Sequence, residues 1–128
     1  MTDQPKGETD RPSADVLVER FFERGGTDGG ESLESLMDVA AGVYVLVTRS
    51  AVYFVDFDED RMLRVPRISE GAPVDYLRRD GLWVALDKVY DCTVGRGLVF
   101  FIDLGLPNGI KTMRGPSTPV EMIVQLLA

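Results

Sequence analysis

Histidine is absent from this 128-residue sequence, and cysteine occurs once, at Cys92. The first absence removes the commonest general base, the usual activator of serine and cysteine nucleophiles, and the commonest zinc ligand. The second rules out an internal disulfide, and together they rule out a Cys/His zinc site or Cys-His catalysis within the chain. Apolar runs do not exceed strand length, so a membrane-spanning helix is not expected. The first residues, MTDQPKGETDRPSAD, lack the apolar stretch of a signal peptide. With no disulfide framework and no leader, the expectation is a cytoplasmic protein without a membrane partner.

Positive charge is also scarce. The formal net charge is −7, and it is unevenly spread. Residues 1–34 hold nine Asp and Glu against four Lys and Arg, whereas residues 35–128 hold twelve against ten. The acidity therefore belongs to the N-terminal third. General nucleic-acid binding is not expected, because it needs excess cation to displace counterions.

What is present is a β-rich pattern. Residues 1–12 are polar and carry two prolines, and their composition predicts a disordered acidic tail. Ser13 can cap a helix, and ADVLVERFFER places Val16, Leu17, Phe21 and Phe22 at helical spacing. Leu33, Leu36, Met37 and Ala40 suggest a short helical turn, so residues 13–41 read as a helical N-terminal arm and 42–128 as a β-rich domain. GVYVLVTR and AVYFVDF are rich in β-branched and aromatic residues and joined tightly enough for a hairpin. RMLRVPRI, LWVALDKV, GLVFFIDL and GIKTMRG read as further strands, with a possible short one at YDCTV. The last segment, STPVEMIVQLLA, fits both periods. Thr118, Pro119 and Glu121 carry helix-start signals, which tilt it toward helix, while Val120, Met122, Val124 and Leu126 alternate as in a strand.

The fold class expected is therefore mainly β (α+β). It is a small antiparallel barrel or sandwich of about six strands, with an N-terminal helix and a C-terminal helix or strand. Residues 43–47 and 52–55 are apolar on both alternating faces. A strand with one wet face would alternate with polar residues, so both faces of this hairpin need a cover. The N-terminal helix, the C-terminal segment or the second subunit of a homodimer could supply it.

The run DFDED is the most site-like stretch. Asp56, Asp58 and Asp60 alternate as at the start of a calcium loop, but Arg61 replaces its turn glycine and Arg67 its bidentate Glu. A hairpin tip whose charge discourages edge pairing explains the run better, so no metal site and no cofactor are expected. Gly95-Arg96-Gly97 lacks the context of a phosphate loop and reads as a bend or bulge. Cys92 has no adjacent cation and reads as a buried structural thiol. Arg61, Arg64, Arg67, Arg78 and Arg79 fall within nineteen residues and are followed by Trp83. A guanidinium cluster beside an aromatic can bind carboxylates, phosphates or an acidic protein partner, unless acids of the same molecule neutralise it.

The segments GVYVLVTRSAVYFVDFDEDRMLRVPR, LRRDG with a following Trp, VGRGLVFFID and PSTPVEMI resemble small uncharacterised proteins of actinobacteria and their mobile elements. The resemblance covers about two thirds of the chain and implies no activity. It implies a strand after STPV.

The function expected is a non-enzymatic protein-binding module, an acidic regulator or immunity-type protein, with Arg61, Arg64, Arg67, Arg78, Arg79 and Trp83 as partner-binding residues. The alternatives are a small-ligand-binding β-barrel, with Tyr44, Tyr53, Phe100 and Trp83 lining its pocket, and an enzyme working with carboxylates alone.

Overall fold

A computed structural model of the chain describes residues 13–24, 32–67 and 80–126. Helix α1 spans Ala14–Glu23. The strands are β1 (Ser32–Leu33), β2 (Val43–Thr48), β3 (Ala51–Asp56), β4 (Arg61–Pro66), β5 (Trp83–Asp91), β6 (Val99–Asp103), β7 (Thr112–Arg114) and β8 (Val120–Gln125). They form one antiparallel sheet in the order β1-β8-β2-β3-β4-β5-β6-β7. The fold is mainly β, as its composition of branched and aromatic runs demands.

Within that fold class, three details differ from the reading of the sequence. The described strands number eight rather than about six, because Ser32–Leu33 and Val120–Gln125 join the sheet. The C-terminal segment is thus a strand, not the helix its start signals favour. Its ladder with β2 and the burial of Val120, Ile123 and Val124 outweigh the capping pattern, since tertiary pairing overrides local propensity. The helical turn read over 33–40 is likewise absent. Leu33 pairs with Ile123, and Ser35 bridges Thr93.

Both faces of the β2–β3 hairpin are covered. On one face Tyr44, Leu46, Tyr53 and Val55 pack with Met62, Leu86, Phe100, Ile102 and Ile123. On the other, Val43, Val45 and Phe54 pack with Leu63, Val124 and Leu126 beneath Ala14, Leu17 and Phe21 of α1. The alternation of a strand sorts the first set from the second. Helix α1 is the cover, and it lies within the same chain. Of its expected stripe, Leu17 and Phe21 are buried, while Val16 and Phe22 are partly exposed, Phe22 by 47%. The buried spacing 14, 17, 21 is the helical one. Ser13 caps the helix by accepting from the Val16 amide at 3.4 Å.

The β2–β3 link is short. Thr48 Oγ1 donates to the Ala51 carbonyl and accepts from the Ala51 amide, which locks a connection of only Arg49 and Ser50. The connection from β5 to β6 folds back on the other end of the sheet. Thr93 bridges Ser35, Val94 bridges Val120 and Gly97 bridges Pro119. These bridges draw the two ends of the open sheet toward each other and close Cys92 and Leu98 into the interior. Gly115 permits the same close approach beside the Gly97–Pro119 bridge. Its φ is +114°, and a Cβ there would overlap the Leu98 carbonyl oxygen.

Candidate functional site

The DFDED run is a turn with a buried anchor. Asp56 ends β3 and is 2% exposed. Its Oδ1 accepts from the amides of Asp58 and Glu59, and its Oδ2 accepts from Arg61 Nε at 3.0 Å. Asp58 accepts from the Gly42 amide at 3.0 Å. The acids serve the backbone of the hairpin. Among the described residues, no group of three or more Asp, Glu or Cys is placed to hold a metal ion.

The arginines do not form one patch. Arg61 lies on the helix-covered face, with its guanidinium 4.2 Å from the centre of the Trp83 ring. Asp56 holds it from one side, and Asp15 of α1 stands 3.9 Å away. Asp15 also accepts from Trp83 Nε1 at 2.7 Å. The arrangement ties the first turn of the helix to β4 and β5. Arg64 points to the opposite face and is 8% exposed. It donates to the Tyr53 hydroxyl at 3.3 Å and pairs with Asp80. Burial works against its charge, but these two partners outweigh that cost and hold its pKa above the usual value. Arg67 donates to the Thr48 carbonyl at 2.8 Å and stands 3.8 Å from Glu121. Arg78 and Arg79 lie outside the described residues. Arg61, Arg64 and Arg67 are thus each engaged by acids or carbonyls of their own chain.

The residues expected to line a ligand pocket also separate. Tyr44, Tyr53 and Phe100 are buried in the interior, where the Tyr53 and Phe100 rings meet edge to face at 5.9 Å. Trp83 is on the other side of the sheet, against Arg61 and Asp15. A cleft bounded by Met62, Arg64, Asp80, Leu82, Val84, Phe100, Ile102 and Arg114 has a volume of about 20 Å³, room for one water molecule. Cys92 lies in the same interior with no exposed surface, and burial pushes its thiol pKa up to about 12. A thiol held so far from its thiolate is a poor nucleophile.

One surface stands out that the sequence did not single out. Among the described elements, helix α1 covers β8, β2, β3, β4 and Trp83 at the start of β5, and the same side of the rest of β5, of β6 and of β7 lies beyond it. There Tyr90 is 65% exposed and Met113 is 56% exposed. Phe101 sits between them, opposite Met113 in the β6–β7 ladder and 6.5 Å from the Tyr90 ring. Lys88 faces Phe101 across the β5–β6 ladder, with Nζ 5.2 Å from the ring centre. Asp91 and Asp103 border this patch, paired with Arg96 and Lys111. Two irregularities in β5, at Leu86/Lys88 and Val89/Asp91, shift its alternation and turn Tyr90 and Lys88 outward. A strict two-residue period cannot place them, which is why the sequence hid this face.

Comparison with protein-family models, curated proteins and solved structures gives no match to this chain.

Proposed function

We propose that this chain is a non-enzymatic protein-binding module, an acidic regulator of the immunity-protein type that works by occupying another protein. The observation that carries this reading is the apolar patch of Tyr90, Phe101 and Met113 on the uncovered side of β5, β6 and β7. An exposed cluster of large apolar side chains with a charged rim is the usual signature of a docking surface. The interior adds support, since Tyr53 and Phe100 pack against each other where a ligand would sit. The net charge of −7 supports a cationic partner, whose approach it would accelerate. Arg61, Arg64, Arg67 and Trp83 would serve this function indirectly, by holding α1 and the hairpin in place.

The test is isolation of the tagged full chain from its native host after mild cross-linking, followed by size-exclusion chromatography and mass spectrometry. The expected result is a stoichiometric complex with one other protein, formed more slowly as salt is raised. A chain that elutes alone, and whose melting temperature rises by several degrees with a small metabolite, would overturn the reading in favour of a ligand-binding barrel.

A further inference from the structure

The molecule contains its own example of how its sheet receives a helix. On the covered side, α1 lays Leu17 and Phe21 on Phe54, and the edge-to-face contact of Phe21 with Phe54 marks the seat. Beside this apolar contact a cation stacks on an aromatic ring, Arg61 over Trp83. The helix delivers a carboxylate to that pair, since Asp15 reaches both Arg61 and the Trp83 indole. The arrangement thus combines an aromatic seat, a cation on a ring and an acid from the helix.

The uncovered side repeats the first two parts without the third. Tyr90, Phe101 and Met113 form the seat. Lys88 stacks over Phe101 and has no acidic side chain within 4.0 Å among the described residues. From these observations, and resting on the protein-binding reading above, we infer that the outer face of β5, β6 and β7 docks an amphipathic helix of a partner protein that presents a carboxylate to Lys88.

The geometry favours a helix over an added strand. The patch runs across three strands, about 9.6 Å at the usual strand spacing. Two turns of helix span about 10.8 Å, so apolar residues at i, i+3 or i+4, and i+7 can meet Tyr90, Phe101 and Met113 together. A strand added to the edge would pair only with β7 and would touch Met113 alone. The helix of a second copy is a poor occupant, because Leu17 and Phe21, the core of the α1 stripe, are already seated on their own sheet. The carboxylate also has a defined benefit. A lysine desolvated under an apolar partner needs an opposite charge, and its position on Phe101 fixes where that charge must sit.

The experiment is site-specific photo-cross-linking of the full chain in its native host, with p-benzoylphenylalanine introduced at position 90, at position 113 or, as a control, at exposed position 37. Positions 90 and 113 should give an adduct with the same protein, and position 37 should give none. Digestion should map the adduct to a segment with apolar residues at helical spacing and an Asp or Glu on the same side. Lys88→Glu should cut adduct yield roughly tenfold or more, and Lys88→Arg should retain it, with both variants melting like the parent. An adduct with a second copy of this chain, an adduct segment without helical periodicity or without an acid, or indifference to Lys88→Glu would overturn the inference while leaving protein binding in place. Adducts from position 37 alone would do the same by moving the partner to another surface. Absence of adducts from all three positions would overturn both the inference and the protein-binding function.

Discussion

The ring of Phe21 meets the ring of Phe54 edge to face, with 5.5 Å between centroids and 82° between planes. Phe21 is the deepest aromatic residue of α1, and Phe54 is fully buried in β3. This contact joins the helix to the outer side of the hairpin. Phe21→Ala should therefore destabilise the domain by about 3–5 kcal/mol, the range for large-to-small changes in a core. Phe22→Ala should cost clearly less, since that ring is half in solvent. Denaturant melts at two protein concentrations check this. The midpoints should not move with concentration, because the helix packs on its own chain. A concentration-dependent midpoint, or equal losses at the two positions, would contradict the packing described here.

Asp56 gives a second test. Its carboxylate satisfies two turn amides and Arg61 from a buried position. Asp56→Ala leaves those donors without their acceptor and should cost about 1–3 kcal/mol. Glu59→Ala, at the exposed tip, should stay within about 0.5 kcal/mol. Because these acids serve the backbone, calcium or EDTA should leave the melting temperature where it was. A saturable rise of several degrees at micromolar calcium would show that the turn is a cation loop.

Arg64 and Asp80 form a pair in which both side chains are about nine-tenths buried. Arg64→Met takes this partner away from a buried carboxylate and should cost about 3–5 kcal/mol. Combining it with Asp80→Asn should recover part of that loss, so the double change costs less than the sum of the two single changes. Strict additivity in chemical denaturation would mean that the two groups do not depend on each other.

The Cys92 thiol supplies a pH dependence with a definite sign. Its folded pKa, about 12, lies above the unfolded value of about 8.5. The unfolded chain therefore loses this proton first. The associated stability is complete below about pH 8.5 and declines as pH rises toward 12, by up to about 1.4 kcal/mol per pH unit. Tyr44, whose pKa is raised by burial and by Asp58, acts in the same direction at higher pH. Urea melts between pH 8 and pH 10 should show the decline in the parent and a flatter profile in Cys92→Ala. Parallel profiles for the two proteins would remove Cys92 as the cause.

How far the sequence discloses this molecule depends on the kind of signal. The β2–β3 hairpin is legible because Val43–Val47 and Val52–Val55 are apolar on both faces, and burial on both faces is what such a pattern requires. Helix α1 is legible because Ser13 caps it and Leu17 and Phe21 recur at 3.6-residue spacing. Strand β8 is obscure because Thr118, Pro119 and Glu121 offer helix-start chemistry, and only pairing with β2, some seventy residues earlier, settles the matter. Arg61, Arg64 and Arg67 are close in sequence yet diverge in space, since alternation sends Arg64 through the sheet and Arg67 lies past the end of β4. The patch at Lys88, Tyr90, Phe101 and Met113 is hidden by two bulges that no local composition announces.

The order of the strands bears on how the chain is made. Strand β2 sits between β3 and β8, and Thr48 finds its partner Val120 seventy-two residues later. At a synthesis rate of roughly 5–20 residues per second, that edge of β2 waits about 4–14 seconds for its neighbour. During this interval the row of amides and carbonyls from Val43 to Thr48 is open on the β8 side, in the most apolar strand of the protein. A nascent chain in that state is a template for pairing with another nascent chain on the same message. Topology thus sets how long β2 stays unpaired, and the yield in the cell should respond to translation speed and to chaperones that shield an unpaired strand.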